Sequence, residues 1–227
     1  MTPKEHGLML SDPMVVARHE RRKKQTRRLI SVANTLVDGR RVSSKRWKEM
    51  SFDLGNAWVD PGPSPAGNVG PYLKAPSLAP EMDGSVHRLY PIYQPGDALW
   101  WKECHYVESA GSNNGGTGFV IYRATDDPAP VSRWTPSMLM PRWAARYVDT
   151  VLSCIPERLS QVSNEDAQAE GVVWNDQARY WHVPGLEVRH PFGAAGCYLE
   201  LMKHLHGADI VERDPWVWVI GYRFGDV

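Results

Sequence analysis

The run Trp216-Val217-Trp218-Val219-Ile220-Gly221-Tyr222-Arg223-Phe224 carries a large side chain at every second position. Successive side chains of a strand leave opposite faces, so this alternation predicts a β-strand with one bulky face. Upstream, Phe119 to Ala124 is a compact apolar segment, and Ala98 to Val107 is aromatic-rich and follows a Pro95-Gly96-Asp97 turn. A Gly/Asn/Ser loop from Ser109 to Gly118 joins them, which predicts a hairpin with a long tip. Ala144 to Ile155 has the length and the Val and Tyr content of a strand, and a helix is also compatible with it.

Toward the N-terminus, Gly7 to Leu10 reads as a short strand. Ser11-Asp12-Pro13 then signals a helix start, with an oxygen acceptor for the orphan amides and proline where its missing N–H does no harm. Met14, Ala17 and Val15 are the candidate core residues of that helix, and Gln25 to Ser31 reads as a strand leaving it. Ser163 to Asp166 is a capping-box pattern with Gly171 as the stop, giving a helix from Asn164 to Glu170. A further helix is predicted from about Ala195 to His206, with Leu199, Met202 and Leu205 on one face and Gly207 at its end.

Residues 55–97 contain Pro61, Pro63, Pro65, Pro71, Pro76 and Pro80 with interspersed glycines. Proline disfavours long helices and central strands, so this stretch reads as a long excursion over the surface. About six or more strands with three short helices predict an α+β, mainly β chain, built as a β-barrel with peripheral helices and long loop insertions.

The 227 residues suffice for one domain with insertions, and less readily for two small ones. At 42% hydrophobic and 23% charged, the composition is that of a soluble globular chain. No apolar stretch approaches the roughly 20 residues that span a bilayer, and Met1 to His6 lacks the apolar core of a secretory signal. Cys104, Cys154 and Cys197 lie far apart with no CxxC, which fits free thiols in a reducing cytoplasm.

Charge is unevenly placed. Residues 18–28 hold seven permanent cations and one acid. Removing them from totals of 26 basic and 26 acidic residues leaves 19 against 25. A local cationic patch on an otherwise acidic chain suggests an anionic partner, most often phosphate, although such runs are also ordinary solvated faces. Within the run, Lys23-x-x-Thr26 can set an amine beside a hydroxyl. Positions three apart share a face in a helix and oppose each other in a strand, so the two meet only if a helix-to-strand junction falls near Lys24 and Gln25. Cys104-His105 and His204-x-His206 lack a zinc-site pattern, and GxSxG, Walker and GxGxxG motifs are absent, so no metal or cofactor is expected.

Several segments in order resemble the ASCH domain family, especially the long versions encoded in phages and prophages. They are Ser11 to Met14, Arg22 to Arg28, Pro95 to Trp100, Tyr122 to Ala124, Met140 to Arg146, Glu165 to Gly171, and Trp216 to Ile220. The resemblance implies a single PUA-like β-barrel domain with a cleft for RNA or nucleosides. Residues 55–97 and 174–195 are insertions that it covers poorly. Small bacterial members are amidohydrolases that remove the acetyl group from N(4)-acetylcytidine with a lysine, a threonine and a distant glutamate. Lys23, Thr26 and Glu170 match those positions here. Two departures are plain: Arg21 stands where members usually have glycine, and Gly221 stands where many have glutamate.

The implied chemistry needs a neutral lysine to take the threonine proton. Neighbouring cations and burial both push a lysine that way, while a bound carboxylate opposes them. Arg22, Lys24, Arg27 and Arg28 are the candidate nucleotide-holding cations. Trp143, flanked by Arg142 and Arg146, is the candidate stacking platform, a contact worth roughly 1–3 kcal/mol per base. It reads more readily as a barrel-edge tryptophan covered by arginine stems. The expected partner is RNA or a nucleoside, with no membrane. The alternatives are a non-catalytic reader of modified nucleic acid and a ribonuclease, the latter without a recognisable histidine pair.

Overall fold

The computed structural model describes residues 3–62, 70–79, 84–108, 119–126, 131 and 133–225. Strand β1 (Glu5–Met9) leads into helix α1 (Asp12–His19) and then β2 (Gln25–Leu29). Next come β3 (Thr35–Val37), α2 (Ser44–Met50), β4 (Trp58–Asp60), β5 (Tyr72–Pro76) and β6 (Val86–Pro91). β7 (Ala98–Lys102), β8 (His105–Glu108) and β9 (Phe119–Tyr122) precede the long β10 (Val148–Arg158). α3 (Asn164–Ala169), β11 (Val173–Asn175), β12 (Tyr180–His182) and β13 (Arg189–His190) follow. The described chain closes with α4 (Ala194–His206), α5 (Ile210–Arg213) and β14 (Trp216–Arg223).

The alternating C-terminal run is the hinge of the architecture. β14 lies inside a five-stranded sheet of order β1-β7-β10-β14-β2. One face of β14 sends Trp216, Trp218, Ile220 and Tyr222 into a core shared with Leu8, Val15, Leu73, Leu89, Leu99 and Trp101. The other face sends Val217 and Val219 into a second core with Leu159, Ala167, Tyr198, Leu201 and Ile210. Both faces are therefore covered, and a fully buried aliphatic such as Leu73 or Leu159 contributes about 1.5–3 kcal/mol.

The expected barrel is not closed. The main sheet is open, with β1 and β2 as its edges. No backbone ladder joins them; instead Arg28 Nη2 donates to the Met9 carbonyl at 2.8 Å across the gap. A cavity opens at that gap. The coarser expectation, a strand-rich α+β chain with short helices, describes the fold.

The described residues among 55–97 are not a surface excursion. They supply β4, β5 and β6 of a four-stranded sheet ordered β3-β6-β5-β4, and Leu73, Ala75 and Leu89 are wholly buried. The prolines permit this by position: Pro71 precedes β5, and Pro76 and Pro91 are the last residues of β5 and β6. Terminal positions spare the ladder hydrogen bonds that a mid-strand proline would remove. Pro63, Pro65 and Pro80 lie outside the described residues.

Ala98 to Val107 divides into β7 in the main sheet and β8, which pairs with β9 as the expected hairpin. Its tip, residues 109–118, lies outside the described residues. The ambiguous segment 144–155 becomes strand only from Val148, where β10 begins, and residues 174–195 carry most of a small sheet, β11-β12-β13. Ser163 caps α3 as its sequence implies, accepting from the Asp166 amide at 3.0 Å while the Asp166 carboxylate accepts from the Ser163 amide at 3.1 Å. Ser11 differs: its backbone carbonyl, not its side chain, accepts from Met14 and Val15. The face assigned to α4 also shifts. Cys197, Tyr198, Leu201 and Met202 are buried, whereas Leu205 is 54% exposed. Among the described residues no helix is long and apolar enough to cross a membrane.

Candidate active site

Helix α1 ends at His19, and the chain turns through Arg21 at φ 57°. That is the left-handed region which glycine enters most easily, so Arg21 occupies a glycine-type position with a side chain. Arg22 and Lys23 then both donate backbone N–H to the Ala17 carbonyl. Lys24 donates to the Ala169 carbonyl at 2.7 Å, and its own carbonyl accepts from the Tyr222 amide. The Tyr222 hydroxyl donates to the Lys23 carbonyl at 2.7 Å. Every residue from 22 to 24 is thus held against α1, the end of α3 or β14 before β2 begins at Gln25.

This placement brings three predicted residues together. Lys23 and Glu170 are 2% and 3% exposed. Lys23 Nζ donates to Glu170 Oε2 at 2.6 Å and to the Glu170 carbonyl at 3.2 Å. Thr26, three residues later, is buried and pairs with Ile220 in the β2–β14 ladder. Lys23, Thr26 and Glu170 all line one cavity of about 320 Å³ between the sheet edges and α4. The expected junction is only half present: β2 begins at Gln25, but α1 already ends at His19, so residues 20–24 form a loop between them. Lys23 lies just before β2, free of the alternation that would turn it away from Thr26. Among the described residues, the Thr26 hydroxyl makes no hydrogen bond to Lys23 or Glu170.

Gly171 makes the close approach feasible. It adopts φ 109°, and a Cβ there would come 3.0 Å from the Ala17 Cβ. A side chain at 171 would therefore push Glu170 away from α1.

Arg27, expected to hold nucleotide, is more deeply engaged. Its Nη2 lies 3.1 Å from both Glu157 and Asp166, and its Nη1 lies 3.5 Å from Glu170 Oε1. Its Nε and Nη1, and Glu170 Oε1, have no hydrogen-bond partner among the described residues. Buried donors without acceptors are costly, and both Arg27 and Glu170 are among the cavity-lining residues. Arg28 also lines the cavity. Tyr198 of α4 completes the floor, and sequence reading passed over it. Its spacing from Ala194, Leu201 and Met202 places it on the buried face of α4, which was the available signal.

The electrostatics follow from burial. Loss of water drives the Lys23 amine below its ordinary pKa; Glu170 opposes this, and Arg28 and Arg27 add to it. The net direction is down, so burial and the cations outweigh the carboxylate. Burial and the Glu170 charge raise the Tyr198 phenol far above its ordinary value, keeping it a proton donor. Burial works against the charge on Arg27, but Glu170, Asp166 and Glu157 hold it cationic. The outer rim is apolar, formed by Met9, Met14 and Leu205, with His206 beside them.

The other predicted residues lie elsewhere. Arg22 and Lys24 face a different groove. Trp143 is 61% exposed and does not line the cavity. Arg142 is bound to Glu5 at 2.8 Å, and Arg146 holds Glu103 through two hydrogen bonds of 2.9 and 2.7 Å. Trp101 is buried and donates to Asp149. His204 and His206 line different cavities. No group of three or more His, Cys, Asp or Glu side chains suited to a metal occurs among the described residues. Compared with known protein families, curated proteins and solved structures, the chain matches none.

Proposed function

We propose that this chain is a PUA-like, ASCH-type amidohydrolase that removes the acyl group from N(4)-acetylcytidine or a related acylated base. The observation that carries this reading is the buried Lys23–Glu170 contact of 2.6 Å beside Thr26 in one cavity. It unites the lysine, threonine and glutamate that the family resemblance singles out.

In this mechanism neutral Lys23 removes the Thr26 proton, and Thr26 Oγ1 attacks the acyl carbonyl carbon. A buried lysine with a lowered pKa suits that step, because an ordinary amine is protonated near neutral pH. Arg27, a cation of the cavity lining, is the candidate to stabilise the oxyanion that forms. The C–N bond then breaks. The leaving amine takes the proton from Lys23, relayed or oriented by Glu170, and leaves an acyl ester on Thr26. Water, deprotonated by Lys23, hydrolyses the ester and regenerates the hydroxyl.

A second reading has one observation in its favour. Lys23 is occupied by Glu170 and makes no hydrogen bond to Thr26, as befits a module that binds the modified base without turnover. One experiment separates the two. Wild type, Lys23→Ala and Thr26→Ala are incubated with N(4)-acetylcytidine, and cytidine release is followed. Release by wild type alone supports the hydrolase. Binding without release by wild type supports the reader, and release undiminished in Lys23→Ala refutes the assigned roles.

A further inference from the structure

The cationic run faces two ways. Lys23 turns into the buried cavity, while Arg21, Arg22 and Lys24 line a separate groove of about 580 Å³. Its opposite wall is the β11–β12 ribbon. Trp174 and Trp181 stand directly opposite each other across that ribbon, so both rings leave the same face. Their centroids are 5.4 Å apart, and both line the groove. Arg22 is spent: it pairs with Glu20 at 2.5 Å and donates to the Gly171 carbonyl at 3.0 Å. Arg21 and Lys24 are exposed, and neither has an ion pair among the described residues. Glu165 lies on the same wall as Gln168 and is the one acid of the lining.

We propose that this groove binds a single-stranded polynucleotide, with phosphates at Arg21 and Lys24 and bases against Trp174 and Trp181. Cations beside paired aromatic rings are the combination that single strands require, charge for the backbone and π faces for the bases. A duplex keeps its bases stacked inward and cannot use the rings. An acidic peptide would use the cations but leave the tryptophans without planar partners. The groove and the cavity flank the same two crossing segments, residues 22–24 and 169–171. Resting on the hydrolase reading, the acylated base is therefore one within a strand, with its neighbours held in the groove.

The test uses the full chain and labelled oligonucleotides of roughly ten nucleotides, within the span that one single-strand-binding fold covers. Single-stranded RNA, single-stranded DNA, duplex, an oligo-aspartate peptide and inorganic polyphosphate are compared by anisotropy and tryptophan quenching. Both single strands are expected to bind and to quench, and an RNA preference would identify the sugar. Trp174→Ala is expected to weaken binding about tenfold, and Trp174→Phe to recover most of it. Lys24→Gln is expected to reduce the log–log salt slope by about 0.7. The proposal is overturned if neither single strand binds, if Trp174→Ala and Trp174→Phe bind like wild type, or if duplex, peptide or polyphosphate binds as tightly. Free N(4)-acetylcytidine deacylated without strand binding sinks the groove and spares the hydrolase. Strand binding without deacylation of nucleoside or strand does the reverse.

Discussion

The Lys23 amine and the Glu170 carboxylate meet at 2.6 Å where the segment after α1 crosses the end of α3. The same crossing carries the backbone bond from Lys24 to Ala169, so the charge pair is set by the main chain as well as by attraction. Desolvation of two buried charges offsets much of their attraction, and the pair is therefore weak evidence for stability in itself. The desolvation that costs stability also lowers the Lys23 pKa, as the proposed hydrolase requires.

Removing one partner strands the other. Glu170→Ala and Lys23→Ala are each expected to cost about 3–5 kcal/mol in chemical denaturation. The paired replacement Lys23→Met with Glu170→Leu is expected to cost far less than the two single changes added, while abolishing deacylation. Additive losses in the double variant would show that the two side chains act independently.

Deacylation is expected to rise with pH as Lys23 loses its proton, with an apparent pKa below the ordinary 10.5. The stability effect has the same direction. Between the lowered folded pKa and 10.5, the unfolded chain holds the extra proton, so unfolding becomes harder as pH rises through that window. Below the window Lys23 is charged in both states and its burial penalty is felt in full. Lys23→Met should flatten this part of the stability–pH curve. A pH–rate profile of kcat/KM and denaturation at several pH values check the two halves separately.

The strands were legible where alternation is strict. Trp216 to Tyr222 and the β8–β9 hairpin declare themselves by period, and Ser163 and Gly171 mark α3 by turn chemistry. Residues 55–97 hid a sheet because proline was counted without regard to where a strand ends. The α4 face was misjudged because Leu205 is as hydrophobic as Leu201, and only the presence of the second core distinguishes them. Lys23 and Glu170 are in contact and Thr26 lines the same cavity, and the chain reaches Lys23 through a left-handed Arg21 that no residue preference announces. Arg142 and Arg146 have partners, Glu5 and Glu103, far away in the chain, so their spare charge in the sequence is absent from the fold.

Gly171 supports the site through its backbone. Its φ of 109° strains any side chain, and a Cβ would press on Ala17. Gly171→Ala is expected to destabilise by about 1–3 kcal/mol and to lower deacylation by displacing Glu170. Adding Ala17→Gly relieves the contact but not the φ, so only part of the loss should return. Full recovery in that double variant would assign the whole effect to crowding.

Arg27 separates a structural cation from a catalytic one. Three carboxylates surround it, from Glu157, Asp166 and Glu170, and any cation of similar reach would neutralise part of that charge. What a lysine cannot reproduce is the planar fork, whose Nη2 faces Glu157 and Asp166 while its Nη1 faces Glu170. If those donors stabilise the oxyanion, Arg27→Lys should lower kcat by about 10²–10³-fold with little change in KM, as loss of a transition-state donor does. Arg27→Met should in addition destabilise the fold by about 3–5 kcal/mol, because it leaves the carboxylates uncompensated. If Arg27 serves only to balance charge, the lysine variant keeps kcat within a few-fold and any loss falls on stability instead. Steady-state kinetics and denaturation on the same two variants therefore decide between the roles.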